Sequence, residues 1–115
     1  MMTPRLNSQI LIQALVRRTQ KEGGFAAVLH KGDATSGAIL VDLPGPDRTS
    51  RLFERMPDFA TGGYALEPVA TAHWGDSPAL ADYIARRTRS DPDLWVIELD
   101  VANGEQLVAE ILVND

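Results

Sequence analysis

Apolar residues recur along the chain at two different periods, and the changes between them mark out the elements. Over residues 6–22, Leu11, Ala14, Leu15 and Arg18 fall at helical spacing, and Ile10 and Ile12 widen the apolar stripe. Gln9, Gln13, Arg17, Gln20 and Lys21 take the polar positions. Pro4 fits only at the start of such a helix, and Asn7 or Ser8 supplies its cap. Arg17, Arg18 and Lys21 place cations near the negative end of the helix dipole, and Gly23-Gly24 provides a left-handed stop. Residues 25–31 and 37–43 then read as strands joined by the turn formers Gly32-Asp33-Ala34-Thr35-Ser36. So close a connection predicts an antiparallel pair, because a parallel crossover takes about a dozen residues or more. After the break at Pro44-Gly45-Pro46-Asp47, residues 49–56 alternate and predict a third strand, completing a meander. Residues 57–63 read as a loop, followed by two weaker strand segments, 64–66 and 69–73, separated by Pro68.

A second helix is predicted from Ser77, its cap, through Pro78 in the first turn to about Ser90, with Leu80, Tyr83, Ile84 and Arg87 on one face. Asp91-Pro92-Asp93 ends it, since a residue before proline avoids helical angles. Residues 94–101 give the clearest strand: Trp95, Ile97, Leu99 and Val101 on one face, Leu94, Val96, Glu98 and Asp100 on the other. Asn103-Gly104 is a two-residue hairpin signal and predicts a returning strand over residues 106–113. A short helix through Leu107, Val108, Ile111 and Leu112 is the competing assignment. The sum is an α+β domain spanning residues 1–115: a mainly antiparallel sheet of about five strands with two helices packed on one face. The terminal hairpin leaves an exposed sheet edge, which predicts self-association, for instance a homodimer.

Composition narrows the class. The 115 residues are 44% hydrophobic and 23% charged, as in an ordinary folded domain. Apolar runs are a handful of residues where a membrane span needs about 20, and Met1-Met2-Thr3-Pro4-Arg5 lacks the pattern of a signal peptide. Cysteine is absent, excluding disulfides, thiolate metal sites and thiol catalysis. These features together predict a cytoplasmic domain. The net charge of −5 conceals an asymmetry. Residues 1–57 hold eight basic and five acidic groups, residues 58–115 three basic and eleven acidic. An acidic domain is repelled by phosphate backbones, which disfavours nucleic-acid binding, although Arg17, Arg18 and Lys21 are the residues it would use. Either the two halves lie side by side and neutralise each other, or they present opposite surfaces for docking.

Candidate chemistry is sparse. His30 and His73 lack ligand-spaced partners, so no metal is predicted. The run from Gly32 to Gly37 is followed by neither a Lys-Ser/Thr pair nor a helix, so it is no phosphate loop. It reads as a turn in which Gly32 takes positive φ and Asp33 bonds its own backbone, with Asp33 and Ser36 as speculative binding residues. No nucleophile elbow surrounds any serine. Arg86, Arg87 and Arg89 near the end of the second helix are either dipole-complementing cations or an anion site. Glu98, inside an apolar strand, needs a partner if buried, and one of those arginines is the candidate. Trp74 and Trp95 read as core or interface anchors.

Two strings, Lys31-Gly32-Asp33-Ala34-Thr35-Ser36-Gly37-Ala38-Ile39-Leu40-Val41 and Arg89-Ser90-Asp91-Pro92-Asp93-Leu94-Trp95-Val96-Ile97-Glu98, stand out. With Arg5-Leu6 and Ala14-Leu15-Val16-Arg17-Arg18, they resemble a small bacterial family, domain of unknown function 1491, over roughly residues 5–100. The resemblance implies a free-standing domain and carries no activity, cofactor or catalytic residue. The leading expectation is a non-enzymatic domain that binds a protein partner or itself, with no cofactor. The alternative is a small-ligand binder or small enzyme whose pocket joins the Gly32 to Gly37 loop, Glu98 and Arg86 or Arg87.

Overall fold

The computed structural model describes residues 7–45, 47 and 49–113. Pro4, Leu6 and Pro46, to which the sequence gives helix-start and loop-breaking roles, lie outside the described residues. Helix α1 runs Ser8–Lys21 and is capped by Asn7, whose side chain accepts from the Ile10 N–H. Its basic last turn ends at Gly23, which takes the left-handed conformation at φ 82°. Strands β1 (Phe25–His30), β2 (Ile39–Asp42), β3 (Leu52–Asp58) and β4 (Gly63–Val69) follow. A turn of 3-10 helix at Thr71–His73 then leads to α2 (Ser77–Ser90), β5 (Trp95–Asp100) and α3 (Gly104–Leu112). Asp76, not Ser77, caps α2, its side chain accepting from the Ala79 N–H.

The sheet order is β1-β5-β2-β3-β4. It is mixed: β1–β5, β2–β3 and β3–β4 are antiparallel and β2–β5 is parallel. The class is therefore α+β with a five-stranded, mostly antiparallel sheet, as the sequence predicts, but three pairings differ. First, β1 and β2 do not form a hairpin; β5 lies between them. The reason is in β5 itself, whose residues are apolar on both faces apart from Glu98 and Asp100, a composition suited to the centre of a sheet. The loop from β1 to β2 instead wraps around the start of β5. The Asp33 N–H donates to the Asp93 carbonyl, and the Trp95 indole N–H donates to the Asp33 carbonyl at 2.7 Å. Second, residues 57–73 are not a loop with two fragments. β3 continues through Pro57, and β4 is one strand that includes Pro68, tolerated because β4 is an edge.

Third, residues 104–112 form a helix and not a returning strand. Asn103 does adopt the left-handed conformation that an Asn-Gly turn favours, at φ 57° and ψ 37°. However, both edges of β5 are occupied by β1 and β2, so no partner edge remains for a strand. The 3.6-residue stripe of Leu107, Val108 and Leu112 is buried instead. The sheet's free edges are thus β1 and β4, and not a terminal hairpin.

Helices cover both faces. Leu11, Ile12 and Leu15 of α1 and Leu107, Val108 and Leu112 of α3 share one core with Val41, Trp95, Ile97 and Leu99. Leu80 of α2, with Tyr83 and Ile84 beside it, packs on Leu40, Leu52, Leu94 and Val96 from the opposite side. The expectation that both predicted helices share a face thus fails for α2. Consecutive strand residues point to opposite faces, so the two-sided β5 demands two covers. The charged halves of the chain interleave, as Arg18–Glu110 at 3.0 Å and Arg51–Glu105 at 2.8 Å illustrate. Among the described residues, no helix is long and apolar enough to cross a membrane.

Candidate functional site

Of the residues singled out from sequence, Asp33 and Ser36 meet within one loop. Asp33 spends its carboxylate within its own loop: Oδ2 accepts from the Thr35 and Ser36 N–H groups at 3.0 and 2.9 Å and from the Ser36 hydroxyl at 3.3 Å. Those bonds, Ser36 N–H first and Thr35 N–H second, hold the carboxyl below its ordinary value. Gly32 is not in the positive-φ region. It and Gly37 are needed for space, since a Cβ on either would run into the Asp93 carbonyl.

Arg87 is half-buried and makes a bidentate pair with Glu54 on β3, at 2.8 and 3.0 Å, plus a bond to the Tyr83 hydroxyl at 2.9 Å. Pairing with Glu54 pushes the guanidinium further toward its charged form. Arg86 is exposed. Arg87, one of the three arginines expected to partner Glu98, is therefore committed to Glu54. Glu98 lies on the α2 side of β5 beside Asp42 of β2, its register partner in the parallel pair. Asp42 is half-buried, and its Oδ1 is buried without a hydrogen bond among the described residues. Burial first, and the Glu98 charge second, push the Asp42 carboxyl up to about 6, against the pull of a hydrogen bond from Ser50.

His30 Nδ1 is hydrogen-bonded to the Leu94 carbonyl at 2.6 Å. Among the described residues, no group of three or more His, Cys, Asp or Glu side chains is placed to hold a metal. A cleft of about 440 Å³ does adjoin the Gly32 to Gly37 loop, lined by Ser8, Ser36, Gly37, Arg55 and Tyr64, but Asp33, Glu98, Arg86 and Arg87 are not in its wall. Its polar groups are already engaged: the Ser8 hydroxyl donates to the Gly37 carbonyl, and Arg55 stacks on the Tyr64 ring at 3.5 Å and donates to the Leu112 carbonyl.

Among the described residues, β1 is a sheet edge that stands open. The strand Phe-Ala-Ala-Val-Leu-His carries no carboxylate, lysine, arginine or proline, and Phe25, Val28 and Leu29 are 59%, 44% and 51% exposed. The other edge, β4, is guarded by Glu67 and Pro68. Beside β1 a groove of about 560 Å³ runs between that strand and α1. Its floor is Ile12, Val16, Val28 and Trp95. Its rim holds Gln9, Gln13, Gln20, Arg17 and Lys31, and among the described residues no carboxylate lines it. The register of β1 against β5 shifts after Val28. Sequence reading missed this surface, although the uncharged run of residues 25–30 is its signal. Which strand forms the edge depends on where β5 inserts.

Relatives agree with the fold. A family model described as "Protein of unknown function (DUF1491)" matches residues 6–109, reaching beyond the strings that carry the sequence resemblance. A crystal structure of a DUF1491 family protein from Caulobacter crescentus CB15 is 35% identical, with 90% of this chain and 94% of that one covered and a TM-score of 0.75. The solution structure of protein Atu0922 from A. tumefaciens is 30% identical, with 90% and 92% covered and a TM-score of 0.74. An NMR structure of a C. crescentus DUF1491 protein is 34% identical, with 91% and 94% covered and a TM-score of 0.74. A search of curated proteins gives no match. With nearly its whole length matched in sequence and in fold, the chain belongs to the DUF1491 family, whose members are proteins of unknown function.

Proposed function

We propose that this chain is a non-enzymatic protein-interaction domain, and that a partner docks by adding an extended segment to the β1 edge beside the α1 groove. The observation that carries the reading is the coincidence of two features at one place. An unguarded strand edge, with its outward N–H and C=O groups, lies next to an apolar groove of a size suited to side chains. Strand addition uses both: main-chain bonds supply affinity and alternate side chains enter the groove. The rival reading, a ligand held between the Gly32 to Gly37 loop, Glu98 and Arg86 or Arg87, draws no support from the geometry. Asp33 and Arg87 are satisfied by near neighbours, and Glu98 lies beside another acid.

Random-peptide display against the immobilised chain tests the proposal, with a Val28→Lys variant as counter-target. Val28 is exposed, so the variant folds, while a lysine on the edge opposes strand addition. The expected result is a set of extended peptides retained by the native chain and lost on the variant. Failure to enrich any peptide, or enrichment indifferent to Val28→Lys, overturns it.

A further inference from the structure

We infer that the segment received at β1 is an acidic strand of another protein, whose α1-facing positions carry both apolar and carboxylate side chains. This rests on the reading of the β1 edge as a docking site. An added strand turns every second side chain to the α1 side, where Ile12, Val16, Val28 and Trp95 offer an apolar floor and Arg17 and Lys31 a cationic rim. The sign of the charge follows from the rim. In a chain of net charge −5, the groove is lined, among the described residues, by two cations and no anion. Those cations are also available. Arg18, Arg51 and Arg87 are each held in an ion pair, whereas among the described residues Arg17 and Lys31 are in none.

The same charges argue against a second copy as the occupant. A symmetric partner would bring its own β1, which has no carboxylate from Phe25 to His30, together with its own Arg17 and Lys31. The cations of both copies would then share one seam without counter-charge. An acidic strand supplies that charge. Carboxylates at its α1-facing positions also stay clear of Asp42 and Glu98, which lie on the α2 side of the sheet.

The test uses three synthetic peptides in which every second residue is threonine and the positions between alternate valine with glutamate, glutamine or lysine, titrated into the full chain. Trp95 in the groove floor serves as the fluorescence reporter. Expected affinities fall from the glutamate to the glutamine to the lysine peptide by roughly fivefold per step at low salt. The Arg17→Glu/Lys31→Glu variant reverses the order; both side chains are exposed, so the fold is unaffected. If the three peptides bind alike, or the variant keeps the native order, the acidic partner is overturned while docking at the edge stands. If none binds the native chain, both readings fall. A dimer in light scattering that dissociates on Val28→Lys assigns the edge to a second copy and also overturns the inference.

Discussion

Replacing Asp42 by Asn makes the fold more stable at neutral pH, although it removes a charged side chain from the surface count. In the native chain the Asp42 carboxyl stands at about 6, against an ordinary 3.8. Folding therefore takes up a proton between those values. Stability rises as pH falls from about 6 toward 3.8 and is lost as pH climbs back through that window. The ceiling on this contribution is about 3 kcal/mol, since each tenfold change in proton affinity is worth about 1.4 kcal/mol. Asp42 is only half-buried, so solvent screening brings the figure to about 1–2 kcal/mol. Asn keeps the shape, accepts from Ser50 and offers an amide N–H toward Glu98. Urea unfolding of native and Asp42→Asn chains at neutral pH and near pH 5 measures the effect. The variant gains about 1–2 kcal/mol at neutral pH, and its stability is nearly level across the window where the native chain's rises. Asp33 and Asp47, held below their ordinary values by loop hydrogen bonds, titrate beneath this window and leave it clear. A variant less stable at neutral pH, or one with the native pH slope, refutes the assignment of the cost to burial of the Asp42 carboxyl beside Glu98.

Gly37→Ala drives a Cβ into the Asp93 carbonyl and crowds the Trp95 ring. It lowers stability by about 2–3 kcal/mol, a fall in Tm of roughly 10 °C, whereas Gly23→Ala, with open space around it, costs about 1 kcal/mol for its left-handed backbone. Differential scanning calorimetry of the two variants separates close approach from backbone conformation; equal losses would contradict the account of the loop. Arg87→Met strands the Glu54 carboxylate, whose side chain is 12% exposed, and costs about 2–3 kcal/mol. Adding Glu54→Leu recovers most of that loss in urea unfolding, and additive losses would mean the pair is not coupled.

The elements were legible where their causes are local. Asn7, Gly23 and the stripe of Leu11 and Leu15 specify α1 within its own span, and Asp91-Pro92 ends α2. What escaped was decided at long range. The five-residue link, residues 32–36, reads as a hairpin, but β5, arriving some sixty residues later, is apolar on both faces and takes the central place. The same insertion removes the partner edge that an Asn103-Gly104 hairpin requires, so the helical period of Leu107, Val108 and Leu112 prevails. The candidate site follows suit. Alternation correctly set Glu98 opposite Ile97 and Leu99, but its neighbour Asp42 emerges only from the parallel register. The bare chemistry of residues 25–30 was visible throughout, and its meaning appeared once β1 was known to be an edge.

Backbone amide exchange along β1, followed by NMR with and without the valine–glutamate peptide, tests the docking claim most directly. The account predicts that outward-facing amides of residues 25–30 exchange quickly in the free chain and gain protection on binding, with Trp95 shifting in step. Protection gained on β4 or on α2, with β1 unchanged, would contradict it.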